Sequence, residues 1–181
     1  MIAPIFVPDY HWISDTIRDL AAGEHRRIMD FALYSFAAAL LATALATPDA
    51  DLSGIAWLAG AFSLTVLAVL VTIIAARDEY GGGDTSSVVI HTELVYGLGA
   101  FFLATALCMA RGMGAHHRRR AMRALLAPGA LWAVTAPAFF LMPTSMDGLS
   151  ERLLGLVAIG IVCTLCAAMI ARGRRALRAA G

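Results

Sequence analysis

Charge is scarce in this chain: 15% of its 181 residues are charged, while 60% are hydrophobic. That balance excludes a soluble domain of this size, which would need a polar outside over its core. Lysine is absent, so all 14 basic residues are Arg, and they come in clusters that a net charge of +1 conceals. Cysteine is limited to Cys108, Cys163 and Cys166, all inside apolar runs, which excludes a disulfide framework in the polar segments. The Cys163-x-x-Cys166 spacing falls mid-run among Ile161, Val162 and Leu165 and reads as small apolar packing. Tight metal-ligand motifs such as H-E-x-x-H are missing, and His91 alone lies clearly within an apolar run, which leaves a bis-His haem one ligand short. No cofactor, no metal and no nucleic-acid partner are therefore expected. Met1 to Val7 has neither a basic stretch nor an adequate apolar one, so no cleavable signal is expected.

What the chain does have is five apolar stretches: Phe31 to Thr47, Gly54 to Ala76, Val88 to Ala110, Ala124 to Met142 and Leu153 to Ala171. Each has about the length an α-helix needs to cross roughly 30 Å of hydrocarbon. Backbone N–H and C=O groups find no water there, so helices are the expected answer. The predicted fold is all-α: an integral membrane bundle of five transmembrane helices preceded by a short interfacial amphipathic helix. Residues 1–27 form an extracytoplasmic arm, 28–172 the five-helix domain and 173–181 a basic cytoplasmic tail.

Arginine sets the orientation. The segment Arg111 to Arg123 holds five Arg and no acid, and Arg172, Arg174, Arg175 and Arg178 follow the last run. The two clusters lie two crossings apart, so five spans put both on the cytoplasmic side, consistent with the positive-inside rule. The protein is accordingly expected in a bacterial inner membrane with its C-terminus inside. Arg118, Arg119, Arg120 and Arg123, with His116 and His117 beside them, are expected to contact anionic lipid.

In the arm, Trp12, Ile13, Ile17, Leu20 and Ala21 fall on one side of a helix and His11, Asp15, Arg18 and Asp19 on another. That pattern suits a helix lying at the membrane surface. Asp84, Thr85 and Ser86 offer capping oxygens to the third span, and Ser150 with Glu151 does so for the fifth. Pro128 and Pro137 are expected to bend the fourth.

Threaded this way, one end collects the polar groups. His11, Ser14, Asp15 and Asp19 of the arm, His91 and Glu93 of the third span, and Glu151 and Arg152 of the fifth form the predicted polar cluster at the extracytoplasmic end. His91 and Glu93 sit inside an apolar run, where an ionisable group is expensive unless paired or wetted. They diverge by about 200° around a helix, so other elements must supply partners. Arg152 with Glu93 or Asp15, and His91 with Asp15 or Asp19, would make a clasp that closes this end. Acid–base chemistry by His91 and a carboxylate is the alternative.

The stretch Tyr10 to Gly23 resembles the domain of unknown function 998 family of polytopic membrane proteins. Its pattern P-x-Y-x-x-x-S-x-x-I-S-D-L-G/A-A-G is met by Pro8, Tyr10, Ser14, Ile17, Asp19, Leu20, Ala21 and Gly23. Ser86 to His91, a loop running into a span with a His, and Gly148 to Leu153 (G-L-S-E-R-L, similar to G-L-x-x-R-L) follow in the family's order. The resemblance extends over nearly the whole chain and implies that the arm, His91 and Arg152 belong to one set of motifs. It implies no activity. It also implies a span before the Pro-x-Tyr motif, which here is expected to be missing or to lie upstream of Met1.

Three function classes follow. A non-catalytic binding or accessory subunit, packed in a larger membrane complex or a homo-oligomer, explains the absent reaction motif and the Ala- and Gly-rich faces. An intramembrane hydrolase acting on a lipid or ester would need His91 and an acid at a wet cavity. A small transporter lacks a visible inverted repeat.

Overall fold

A computed structural model describes residues 11, 13, 26–50, 52–80 and 85–180. Five long helices account for most of them: α1 (Arg26–Leu45), α2 (Ile55–Tyr80), α3 (Thr85–Ala115), α4 (Arg119–Phe139) and α5 (Asp147–Ala180). Single 3₁₀ turns at Pro48–Ala50 and Thr144–Met146 lie in the connections. Each apolar stretch falls on one helix, and every helix reaches past its stretch into polar residues at one end or both. The hydrogen-bond ladder does not stop where the hydrocarbon would.

Consecutive helices pack antiparallel, and a few contacts fix the register. A methyl built on Gly60 of α2 would meet Met109 of α3, and one built on Gly97 of α3 would meet Leu70 of α2. Between α3 and α4 the indole Nε1–H of Trp132 donates to the Gly99 carbonyl at 2.9 Å. The circuit closes where Thr43 of α1 lies 3.4 Å from the Cys166 sulfur of α5. Leu40, Leu64, Leu67, Met109, Leu125, Ile161 and Leu165 fill the centre, fully buried. Phe102 packs there between Phe36 and Trp132, with ring centroids 6.3 Å and 4.8 Å away.

The surface is apolar as well. Leu41, Leu58, Phe62, Val69, Leu131, Val134, Leu156 and Ile159 are all exposed along the helix walls. A soluble monomer rarely leaves so much large hydrophobic surface uncovered. Four of the five helices are long and apolar enough to cross a membrane: α1 over Arg27–Leu45, α2 over Ile55–Ala76, α3 over Glu93–Ala115 and α5 over Asp147–Arg174. The exception is α4, which spends part of its 21 residues on Arg119, Arg120, Arg123, Pro128 and Pro137. It ends at Phe139 in 3₁₀-type bonds, Phe140 N–H to the Pro137 carbonyl and Leu141 N–H to that of Ala138, so Leu141 and Met142 fall outside the helix.

Helix ends differ from the expected caps in one place. The fifth helix begins at Asp147, three residues before Ser150, with the acid in its first turn where it faces the positive end of the helix dipole. Ser150 is inside the helix, its hydroxyl donating back to the carbonyls of Met146 and Asp147. The 3₁₀ turn after Pro143 had already reversed the chain. Thr85 does open α3, while Asp84 lies outside the described residues, as does the expected interfacial helix of the arm apart from His11 and Ile13.

Candidate functional site

Antiparallel packing sorts the helix termini into two ends. Arg26, Tyr80, Thr85, Phe139 and Asp147 mark one, and Leu45, Ile55, Ala115, Arg119 and Ala180 the other.

The first end receives the arm. The Leu149 N–H, in the opening turn of α5, donates to the Ile13 carbonyl at 3.1 Å. This amide is one of the four that a helix N-terminus leaves without an intrahelical acceptor, so the arm's backbone supplies what a side-chain cap would otherwise supply. One turn on, Arg152 is buried to 4% exposure, and its guanidinium Nη1 donates to the Gly148 carbonyl. That bond uses one of the five guanidinium donors, and the Gly148 carbonyl also serves the α5 ladder, so removing the side chain chiefly empties its buried packing. Glu151 is half-buried beside it. Ionisable groups thus gather in the two turns that receive the arm.

Of the other predicted cluster residues, His11 is exposed in the same arm, and Ser14, Asp15 and Asp19 lie outside the described residues. His91 falls in the second turn of α3, at this end of the bundle; its side chain lies outside the described residues. Glu93 is exposed at the mouth of the α3 span, one turn before Tyr96. Tyr96 packs against Phe140 at 4.6 Å between ring centroids, and Phe140 stands edge-on to Phe139. An aromatic group with a polar tip at this level suits a membrane–water boundary.

At the opposite end, the connection between α3 and α4 is closed by hydrogen bonds. His117 takes a left-handed φ of 58°. Its N–H bonds to the Gly114 carbonyl at 3.0 Å, and the Arg118 N–H reaches back to Met113 at 2.9 Å. These are the two bonds of a Schellman closure, with His in the place that Gly usually fills. The His116 ring nitrogen Nε2 accepts the Ser53 N–H at 3.2 Å, tying this elbow to the α1–α2 loop. That loop turns at Gly54, whose φ of 107° favours a residue without Cβ. Beneath it the buried Trp57 donates its indole N–H to the Thr47 carbonyl at 3.1 Å. His116 itself remains exposed. Arg119, Arg120 and Arg123 are exposed and Arg118 is half-buried.

Sequence reasoning did not find the bonds of Trp57, Trp132 and His116. The signal available was the rule that a buried indole N–H needs a partner, which marks single Trp residues inside apolar runs.

Among the described residues, no three His, Cys, Asp or Glu side chains stand together as metal donors would. No curated protein and no solved structure matches the chain. A family model described as protein of unknown function (DUF998) matches residues 1–175, and the chain belongs to that family.

Proposed function

We propose that this is a non-catalytic integral membrane protein of five spans, a binding or accessory component whose extracytoplasmic end is closed by its own N-terminal arm. The observation that carries the reading is the bond from Leu149 N–H to the Ile13 carbonyl, one turn from the buried Arg152. A helix terminus used to fasten a polar arm, with a buried guanidinium one turn further along it, is what supports a structural clasp. His91, placed at the same end by α3, is the remaining member of that clasp. The fifth span is α4: it returns the chain from the Ala115 end to the Asp147 end, and its 21 residues cover about 31 Å at 1.5 Å each. The Arg excess between α3 and α4 and after α5 faces the cytoplasm.

The clasp is tested by thermal unfolding of the detergent-solubilised Arg152→Ala and His91→Ala variants. Both melt below wild type if the groups hold the end closed; wild-type melting overturns the reading. Orientation is tested separately with single cysteines at Ile13, Ser145 and Arg119 in a background where Cys108, Cys163 and Cys166 are Ala. A membrane-impermeant maleimide should reach the first two from outside the cell and the third only after permeabilisation. Labelling of the first two from opposite sides overturns the threading.

A further inference from the structure

The α3–α4 elbow concentrates positive charge where a helix tolerates it least. Arg119, Arg120 and Arg123 occupy the first turn and a half of α4, Arg118 stands at its N-cap, no acid is present in the first turn, and no side chain caps it. The N-terminal end of a helix is already the positive end of its dipole, so these cations oppose the helix that carries them. Spacings of three and four bring Arg120 and Arg119 onto the face of Arg123, and all three are exposed. The elbow before them is hydrogen-bonded, by the Schellman closure at His117 and the His116–Ser53 tie. Arg111, exposed at the end of α3, and Arg174, exposed on α5, carry the same charge at the same end of the bundle. A cluster that weakens its own helix and is presented from a hydrogen-bonded elbow suits an external anion.

We infer that Arg119, Arg120 and Arg123 bind the phosphate groups of anionic lipids in the leaflet that this end meets. Charge complementarity and position argue for the lipid as occupant. The three guanidiniums begin the helix just before its apolar stretch opens at Ala124, which is the depth of headgroup phosphates in a spanning helix. A guanidinium fork matches two phosphate oxygens at once, which an ammonium does not, and this chain has no lysine. The site is the guanidinium face itself; it rests on the five-span reading, but it lies at the other end of the protein from the clasp, so failure of the clasp leaves it standing.

The test is native mass spectrometry and melting of the detergent-solubilised full chain titrated with phosphatidylglycerol or with phosphatidylcholine of the same acyl chains. Wild type should prefer phosphatidylglycerol about tenfold, and the preference should shrink in high salt. The triple variant R119Q/R120Q/R123Q should lose most of that preference, yet melt in phosphatidylcholine at or above wild type, because its helix is relieved of like charge. The triple Lys variant should keep part of it. No preference in wild type, or an undiminished one in the Gln variant, overturns the assignment. So does transfer of the loss to an Arg174→Gln variant, or full competition by millimolar inorganic phosphate, which would mark a free-anion site. A Gln variant that melts lower in phosphatidylcholine makes the cluster structural and overturns it equally.

Discussion

A methyl group added to Gly129 of α4 would lie 2.8 Å from the Cβ of Ala106 on α3, closer than two carbons can approach. The neighbouring atom is a short, fully buried side chain with no rotamer to offer. Gly129→Ala should therefore push the helices apart and destabilise the bundle by about 1–3 kcal/mol, the usual range for overpacking. Gly114→Ala offers the contrast: its added methyl meets the far end of Met122, the sulfur at 2.8 Å, and that side chain can turn away. It should melt within a degree or two of wild type. Equal losses in the two variants would show that α3 and α4 are not as close as the register here requires.

The Trp132 indole spans the same interface one to two turns nearer the arm end. Trp132→Phe keeps most of the ring against Phe102 but removes the donor to Gly99, whose carbonyl still serves the α3 ladder. A loss of about 1 kcal/mol is expected. Trp132→Ala also empties a buried volume and should cost about 3–5 kcal/mol. Reversible unfolding in a mixed micelle would measure both, and identical costs would mean that the ring contributes nothing beyond its hydrogen bond.

The five-helix order was legible from apolar run length alone, because hydrocarbon thickness imposes one scale on every spanning segment. Helix ends were less so. Arg26, Tyr80 and Ala115 lie outside the runs, since a helix continues wherever its ladder is satisfied and not only where its side chains are greasy. Asp147 rather than Ser150 opens α5 because the 3₁₀ turn after Pro143 ends the reversal early, and two capping types within four residues give a pattern no way to choose. By run length the α4 stretch has the same standing as the other four, yet its Arg and Pro content leaves it outside the helices long and apolar enough to cross a membrane. At the candidate site, threading placed His91 and Arg152 at a common end. It could not show that Arg152 is buried on the carbonyl of its own helix, because that depends on how the arm and neighbouring helices cover one turn. The tie between His116 and Ser53 joins residues 63 apart, each in a short polar loop, with no periodicity to announce it.

His117 pays a conformational toll that glycine would not. With φ at 58° its Cβ crowds the following carbonyl, a strain of about 1–2 kcal/mol for an ordinary L-residue and somewhat less for types that tolerate the left-handed region. His117→Gly should thus raise the melting temperature, with a gain of up to about 1 kcal/mol. His117→Val, branched at Cβ, should lower it. A Gly variant that melts below wild type would mean that the imidazole makes a contact worth more than the strain.

Leu149→Pro removes the amide that bonds the Ile13 carbonyl while leaving α5 free to form, because proline is accepted in the first turn of a helix. Exchange of arm amides with deuterium should speed up about tenfold or more, with core amides of α2 and α3 unchanged. If the arm keeps its protection, it is held by other contacts and the bond to Ile13 is incidental.

Thr105 lies fully buried in α3 with its hydroxyl meeting no hydrogen-bond partner. Thr43, Ser63, Thr72 and Thr164, also within helices, each return their hydroxyl to the carbonyl four residues earlier, which shows how easily the need is met. An orphaned hydroxyl in an apolar surround forfeits its water without compensation, at about 1–3 kcal/mol. Valine has the same shape without that debt, so Thr105→Val should stabilise the fold by about 1 kcal/mol, while Thr105→Ala should gain less because it leaves a methyl-sized void. Unfolding of the two variants against wild type decides the point. If Val destabilises, the hydroxyl is bonded in the membrane, to water or to a ligand, and Thr105 joins the functional residues of the bundle.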